Sequence, residues 1–279
     1  MIGWRILHAT AAVVLLASPA AAADLLPSAP LPVAAPPETI GGGWYLRGDF
    51  TESFFERPVD ATLADPADPG LPPLVGLRLS RESGYGGGIG YHVNEWLRLD
   101  ATVDQRGPAR FSAYSSRSNF VTGSNIEAGK IDVLTALVNV YADLGTWWGL
   151  TPYLGVGIGV ADKRMHGNYS QTTCIEEGCD GLAGTGPRDP AFRPNRSVAS
   201  LAWALTAGAS YRLGAGFSLD AAYRYVDLGR AKSGIDAFGG SSRFKELAAN
   251  EVRVGLRYDF GGTHLGQLLP APHADPYGN

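Results

Sequence analysis

The segment 251–260 alternates strictly between two kinds of side chain, and this alternation constrains the fold more than any other feature of the chain. Five apolar residues share one parity: Val252, Val254, Leu256, Tyr258 and Phe260. The residues between them are charged or glycine. Successive side chains of a β-strand point to opposite faces, so one face is apolar and the other polar. A strand that crosses an outer membrane shows this pattern, with its apolar face toward lipid. A soluble sandwich can also contain one such strand, so the rest of the chain must decide.

Residues 1–23 have the order of regions that is typical of a secretory signal peptide. Arg5 is their only charged residue, an apolar run follows, and Ala21-Ala22-Ala23 supplies an A-x-A cleavage site. The apolar run is too short to cross a membrane as a helix. We therefore expect this leader to be removed, so that the mature chain begins near Asp24.

The composition of the remaining chain excludes several classes of protein. No later segment reaches 18 consecutive apolar residues, so no transmembrane helix is predicted. Removing Arg5 with the leader leaves 22 basic and 27 acidic side chains, a net charge of −5, which argues against a nucleic-acid partner. Residues 24–42 are rich in proline and are expected to form an extended periplasmic linker.

Seven further segments show the same two-residue period, and together with 251–260 they predict eight strands. They are 43–54, 77–93, 96–106, 130–144, 150–161, 198–213 and 217 to about 227. The alternation breaks at 130–133, which indicates a bulge or the point where that strand leaves the membrane.

The connections between these strands alternate between short and long. The turns around Asn94, Gly145 and Gly214 are short, whereas four connections are long and polar: 55–76, 107–129, 162–197 and 228–245. Outer-membrane barrels show this asymmetry, with short turns in the periplasm and long loops outside. An extra hairpin in 162–197 would give ten strands, but the prolines of that segment argue against it.

Three observations favour a membrane barrel over a soluble one, whose polarity would be inverted. Aromatic residues gather beside the short turns, as in an interfacial girdle. The apolar faces are almost free of charge. The polar faces mix long charged side chains with glycine at alternate positions in 77–93 and 150–161, and glycine makes room inside a narrow barrel. We predict an all-β, eight-stranded antiparallel up-and-down transmembrane β-barrel over 43–260, followed by a flexible periplasmic tail at 261–279.

The polar faces predict a network of charges in the lumen. Its members are Arg47, Asp49, Arg98, Asp100, Asp220, Arg224, Arg253, Arg257 and Asp259. The same faces also carry Arg212, Asp104, Asp143 and Glu251. These residues could line a pore or form a salt-bridged plug, and the plug is favoured because eight strands enclose little more than side-chain volume. If they form a plug, replacing Arg98 or Arg253 by Leu leaves a carboxylate unpaired and lowers thermal stability.

Cys174 and Cys179 are expected to form a disulfide, because an exported chain meets an oxidising compartment. A two-thiolate metal site would need more ligands, and only His166 lies nearby in the sequence. No metal and no cofactor is predicted.

Four segments carry a resemblance to a known family: Asn139–Gly145, Thr151–Ala161, Tyr223–Gly229 and Glu251–Phe260. With them, the chain resembles the small outer-membrane β-barrel surface antigens of alphaproteobacteria, which are related in architecture to the OmpA membrane domain and OmpX. The resemblance covers about 43–260. It implies an abundant surface protein that contributes to envelope integrity, and some members bind haemin or host surfaces. Members usually end on the closing aromatic, whereas this chain continues past Tyr258 and Phe260.

The predicted function is therefore that of a non-enzymatic outer-membrane barrel with long surface loops. The alternatives are a small solute channel and a haemin- or ligand-binding surface protein that uses His166 or Tyr169. Eight-stranded lipid-A deacylases have a Ser/His/acid triad, and no histidine here stands in such a pattern. The expected partners are outer-membrane lipid and lipopolysaccharide, the barrel-assembly machinery, and the cell wall or a host surface.

Overall fold

Antiparallel β-strands account for most of the described chain. The structure, a computed structural model, describes residues 43–58, 61–64, 73–237 and 239–260. The predicted leader (1–23), linker (24–42) and tail (261–279) lie outside the described residues. The described residues contain no helix that is long and apolar enough to cross a membrane.

The described residues form twelve strands. They are β1 (Trp44–Phe55), β2 (Ala61–Ala64), β3 (Val75–Leu79), β4 (Glu82–His92), β5 (Leu97–Ser115), β6 (Gly123–Asp143), β7 (Leu150–Cys174), β8 (Gly186–Pro187), β9 (Ala191–Arg193), β10 (Arg196–Gly214), β11 (Phe217–Lys232) and β12 (Ser241–Asp259).

Backbone pairing links eight of these strands in a closed cycle. The order is β1, β4, β5, β6, β7, β10, β11 and β12, and β12 pairs again with β1. All neighbours in the cycle are antiparallel. The closing pair runs in register from Tyr45 opposite Asp259 to Phe55 opposite Ala249. The predicted all-β antiparallel fold is confirmed.

The three short turns lie at one end of the cycle, which we call the turn end; the opposite end is the loop end. The β4–β5 turn is held by Asn94, whose Oδ1 accepts hydrogen bonds from the backbone N–H groups of Trp96 (3.0 Å) and Leu97 (2.8 Å). The β10–β11 turn consists of Ala215 and Gly216, with φ of 51° and 81°. Two-residue hairpins favour such positive φ values because their twist matches that of the strands.

The wall of the cycle is apolar on its outside near the turn end. On β7, Val156 and Ile158 are 55% and 58% exposed, whereas the neighbouring Tyr153, of opposite parity, is 2% exposed. The exposed apolar run ends toward the loop end at Asp132 on β6 and Asp162 on β7. We call the exposed apolar positions between the turn end and these aspartates the outward apolar band.

Several strands extend beyond the predicted bounds, so the predicted loops 107–129, 162–197 and 228–245 are too long. β5 continues to Ser115 and β6 begins at Gly123, while β7 continues to Cys174. The polar composition of these stretches indicated loops. However, outside a membrane the outer face of a strand is polar in any case, so polarity does not exclude strand there.

The described parts of the segment 55–76 contain strand that was not predicted. β2 pairs with β12, and β3 pairs with β5 rather than with β1. The predicted strand 77–93 is therefore two strands, β3 and β4, separated at Ser80 and Arg81.

The segment 162–197 adds no strand to the cycle, in line with the argument against ten strands, but it does contain two short strands that pair outside the cycle. The end of β7 pairs with β8 and β9, from Cys174 opposite Gly186 to Asn168 opposite Arg193. Pro187 and Pro190 confine these two strands to two and three residues without preventing the pairing.

The interior changes character between the two ends. At the turn end it is charged, as predicted, but toward the loop end it is an apolar core. Members of this core include Leu77, Phe111, Ile131, Val133, Met165, Leu228, Phe244 and Leu247. Beyond the outward apolar band, many of the outer positions are polar or charged, such as Arg110 and Lys130. A wall that faces water buries its apolar side chains inside, so the polarity of the strands is reversed there.

Candidate functional site

Asp104 lies at the centre of the charged interior. Arg224 donates to Asp104 Oδ2 from both terminal nitrogens at 3.1 Å, and Arg253 donates to Oδ1 at 2.8 Å. The three residues come from β5, β11 and β12 and are 3% exposed or less. Two cations therefore share one carboxylate in the middle of the barrel.

Glu251 balances this excess of positive charge. Its carboxylate accepts hydrogen bonds from Arg106 at 2.6 Å and from Arg224 at 2.7 Å. Ser53 donates to the same carboxylate at 3.1 Å. Arg224 thus joins two carboxylates, and bidentate and charge-assisted bonds of this kind are the strong ones inside proteins.

Arg47 connects the centre to the turn end. It donates to both oxygens of Asp49, at 2.9 and 2.7 Å, and to Asp100 at 3.0 Å. Arg253 also lies 3.1 Å from Asp49. We call Arg47, Asp49, Asp100, Asp104, Arg106, Arg224, Glu251 and Arg253 the charged layer.

Arg98 was predicted in the same network but contacts a different carboxylate. It donates to Asp143 at 2.8 and 2.7 Å. Its guanidinium lies over the rings of Tyr141 and Tyr153, at 5.2 and 4.9 Å from their centroids. The Arg98 side chain therefore packs between two aromatic rings beside the charged layer.

The remaining predicted members are held more loosely near the turn end. Arg257 lies 3.7 Å from Asp220 and 3.5 Å from Asp259. Asp259 also contacts His92 at 2.8 Å. Arg212, which has the inward parity, is instead exposed beside the β10–β11 turn.

Asp104 and Glu251 were predicted on the polar faces, and the structure places them at the centre of the layer. Arg106, which is equally central, was not predicted, although it has the inward parity. Arg106 was missed because it ends the regular run of β5: the register with β6 shifts between Arg106 and Ala109.

Glycine makes room for the large inward side chains, as the alternate glycines predicted. Gly155 pairs with Tyr141, and a Cβ atom on it would lie 2.3 Å from the tyrosine ring. Gly90 pairs with Tyr45, and a Cβ atom there would lie 2.1 Å from that ring. Both tyrosines can therefore lie flat across the neighbouring strand.

A second polar group closes the interior at the loop end. Arg193 donates to Glu127, to Ser242 at 2.8 Å and to Asp236 at 3.0 Å. Ser115 donates to the same glutamate at 3.0 Å. We call these residues the polar cap; the apolar core lies between it and the charged layer.

Cys174 and Cys179 are joined by a disulfide at the end of β7, with a Cα–Cα distance of 5.5 Å. Asp180 is close to both sulfurs, but sulfurs bonded to each other are not thiolate ligands. Arg188 donates to Asp180 at 2.9 Å, and this hydrogen bond lowers the pKa of the Asp180 carboxyl.

The two residues considered for haemin lie on β7 rather than in a loop. His166 Nε2 is 3.0 Å from Asp132 on β6. Tyr169 contacts Phe192, with ring centroids 6.2 Å apart. The structure does not bring the two together as a pair of axial ligands.

The closing aromatics lie on the outside of the turn end. Tyr258 contacts Phe217 and Phe260, with ring centroids 4.7 and 5.3 Å apart. The backbone N–H of Phe260 donates to the carbonyl of Trp44 at 3.0 Å. Rings therefore cover the outside of the seam where the last strand meets the first.

Known proteins are similar to this chain over most of its length. An uncharacterised protein of Brucella abortus is 29% identical and covers 87% of this chain and 93% of its own. A Rickettsia bellii protein, named as a candidate adhesin, is 26% identical, with coverages of 77% and 87%. The solved structure of the outer membrane protein OprG from Pseudomonas aeruginosa is 14% identical, with a TM-score of 0.46 over 80% of this chain and 98% of that one.

The family described as outer membrane protein beta-barrel domain matches residues 9–260, which include every strand of the closed cycle. The chain belongs to this outer membrane protein β-barrel family, and it is a protein of the outer membrane.

Proposed function

We propose that the eight strands of the cycle form an up-and-down transmembrane barrel over 43–260, with the turn end in the periplasm and the loop end outside the cell. The outward apolar band supports this arrangement. Along β6 and the residue that follows it, the band runs from Leu134 to Leu144, close to the ~9–11 residues that a tilted strand needs to cross hydrocarbon. The short and long connections support the orientation.

The proposed role is that of a closed anchor rather than a conduit. One observation carries it: the interior is occupied in sequence by the charged layer, the apolar core and the polar cap. Large side chains fill this space, and Arg98, Arg106, Tyr45 and Phe244 are each 1% exposed or less. A barrel of eight strands has space for side chains and little else.

The part outside the membrane then carries the function, as a non-enzymatic surface protein that contributes to envelope integrity and surface interactions. The strands that extend beyond the band hold the loop end rigidly away from the bilayer. The candidate-adhesin name of the Rickettsia relative supports a surface contact. The histidines do not favour hydrolysis, because His92 and His166 each face an aspartate and neither has a hydroxyl partner within the described part of the chain.

Two further parts of the proposal concern partners. The closing aromatics, Tyr258 near the end of β12 and Phe260 just after it, are the residues that the barrel-assembly machinery would recognise. The tail 261–279 would reach the cell wall from the periplasmic end.

Epitope insertion on intact cells tests the orientation and the surface role. One tag is placed between Glu177 and Gly178 at the loop end, and its matched control between Thr146 and Trp147 at the turn end. We expect antibody to bind the first tag on intact cells and the second only after the outer membrane is permeabilised. The reverse pattern, or equal labelling of both, would contradict the proposal. Heat-modifiable mobility on gels verifies that both insertions fold.

A further inference from the structure

Three basic residues lie close together on the outer wall just beyond the outward apolar band, where β3, β5 and β6 are neighbours. Arg78 on β3, Arg110 on β5 and Lys130 on β6 are all exposed and point outward. Arg110 pairs directly with Lys130, and Arg78 pairs with Ser112, two residues along β5 from Arg110. Three neighbouring strands therefore bring three cations together on one face.

Like charges directly opposite each other on a sheet are unfavourable. Inside this barrel, the arginines of the charged layer have carboxylate partners. By contrast, Arg78, Arg110 and Lys130 have no ion-pair partner within the described residues. The next pair on the same wall has opposite charges, since Asp132 lies opposite Arg164. The three cations are thus placed where an external anion would relieve their repulsion.

The wall forms a groove at this place. Its volume is about 510 Å³, and its lining includes the three cations, the hydroxyl residues Ser112 and Tyr169, and the aromatic ring of Phe111. No carboxylate contributes to the lining among the described residues. Cations beside hydroxyl groups bind phosphate oxygens well, and guanidinium groups do so with two parallel hydrogen bonds.

The height of the groove identifies the source of the anion. Lys130 is four residues beyond Leu134, the last apolar position of the band on β6. At ~3.3 Å per residue and a strand tilt of about 40°, it lies about 10 Å above the hydrocarbon. Long basic side chains reach toward the bilayer by several ångströms, which places the charges at the level of the lipid headgroups.

We propose that this groove binds the phosphorylated sugar headgroup of the outer-leaflet glycolipid, with Arg78, Arg110 and Lys130 holding its phosphates. The proposal rests on the orientation given above, which puts the loop end in the outer leaflet. Binding of this kind would fix a lipid molecule to one side of the barrel.

Purified full-length mature protein in detergent, titrated with bisphosphorylated lipid A by microscale thermophoresis, tests this proposal. The variant Arg78→Gln/Arg110→Gln/Lys130→Gln removes the three cations. The matched control, Arg57→Gln/Arg196→Gln/Arg212→Gln, removes three exposed cations that do not form one group: one follows β1, and the other two lie near opposite ends of β10. Heat-modifiable mobility shows that both are folded, and Lys130→Gln alone replaces the triple variant if that variant does not fold.

We expect the groove variant to bind lipid A at least about tenfold more weakly, since each basic residue near a lipid surface contributes about a factor of five. The control should bind lipid A as tightly as the wild type does. Lipid A without phosphates should bind the wild-type protein about as weakly as intact lipid A binds the groove variant.

Two results would overturn the proposal: equal affinity of the groove variant and the wild type for lipid A, or equal affinity of the wild type for lipid A with and without its phosphates. Tight competition by inorganic phosphate would show a site for free anion instead. Binding in detergent does not depend on orientation in the cell, so a failure here is distinct from a failure of the epitope test.

Discussion

Arg224 and Asp104 are 120 residues apart in the chain, yet both terminal nitrogens of the arginine donate to the same carboxylate oxygen at 3.1 Å. β11 and β5 lie far apart in the strand cycle, so this contact crosses the interior. Arg224 also binds Glu251. The pair thus fixes the cross-section of the barrel at the height of the charged layer.

Replacing Asp104 by Asn should destabilise the protein strongly. The change leaves Arg224 and Arg253 without their shared anion, and breaking a buried pair costs roughly 3–5 kcal/mol. The measurement is the midpoint of urea unfolding, followed by heat-modifiable mobility. Glu95→Gln in the exposed β4–β5 turn is the control and should shift the unfolding free energy by no more than about 0.5 kcal/mol. Equal midpoints for the two variants would show that the charged layer does not support the fold.

Arg253→Leu and Arg98→Leu should both lower the melting temperature in detergent. Arg253 contacts both Asp49 and Asp104, which keep Arg47 and Arg224 as partners when it is removed. Arg98 forms its ion pair with Asp143, which loses that partner outright. In both variants a buried carboxylate loses part or all of the compensation for its lost solvation. An unchanged melting temperature for Arg253→Leu would contradict this expectation.

Gly155→Ala should destabilise the barrel by about 1–3 kcal/mol, the usual cost of overpacking. The added methyl group would meet the Tyr141 ring at 2.3 Å. Gly48→Ala is the matched control: it is also a strand glycine, but nothing lies within 4 Å of the added atom. The measurement is the unfolding free energy of the two variants in urea. An equal loss of stability in both would show that contact between the added methyl group and Tyr141 is not the cause.

Lys163 should make stability depend on pH. Its ammonium donates to Ser200 and to the carbonyls of Ala161 and Leu228 just beyond the outward apolar band, and burial lowers its pKa from 10.5 to about 8. The unfolded chain therefore holds the proton between pH 8 and 10.5 while the folded protein releases it. Stability from this residue is reduced below pH 8 and is regained as the pH rises toward 10.5.

The comparison of wild type with Lys163→Met isolates this effect. The variant should lose the gain in melting temperature between these two pH values and should be at least as stable as the wild type at neutral pH. Ser200 still donates to the carbonyl of Leu228 at 2.8 Å, so the substitution leaves that acceptor partnered. Parallel pH profiles for the two proteins would contradict the prediction.

Replacing Cys174 and Cys179 by Ser should affect only the loop end. The disulfide spans five residues beyond the polar cap, so the strands below do not depend on it. We expect unchanged heat-modifiable mobility but faster protease cleavage within 175–185, where Ile175 and Leu182 are each 63% exposed. Loss of the folded gel form would show that the disulfide supports the barrel itself.

The alternation of side chains predicted the strands along the outward apolar band, because apolar and polar faces differ most there. It failed beyond the band, and β5 shows why. Its outward positions are odd up to Gln105 and even from Pro108 onward, because the register shifts between Arg106 and Ala109. At this bulge the outward side chains also change from apolar to polar. The amino-acid sequence of the continued strand therefore looks like that of a polar loop.

The charged layer could be predicted as a set of residues but not as a set of pairs. Parity placed Arg98 and Asp100 on the same inward face, yet Arg98 pairs with Asp143 on the next strand. Asp100 is instead bonded to Arg47 and Asn139. Which partners meet depends on strand register and on the glycines that let side chains cross, and neither follows from the alternation alone.

The closed interior is tested most directly by single-channel recording of the purified protein in planar bilayers. Wild-type protein should give no steady openings, because the charged layer, the apolar core and the polar cap fill the barrel in turn. A large-pored porin recorded under the same conditions verifies that insertion would be detected. Steady, substantial openings from protein that shows the folded, heat-modifiable gel form would contradict the closed anchor and favour a solute conduit.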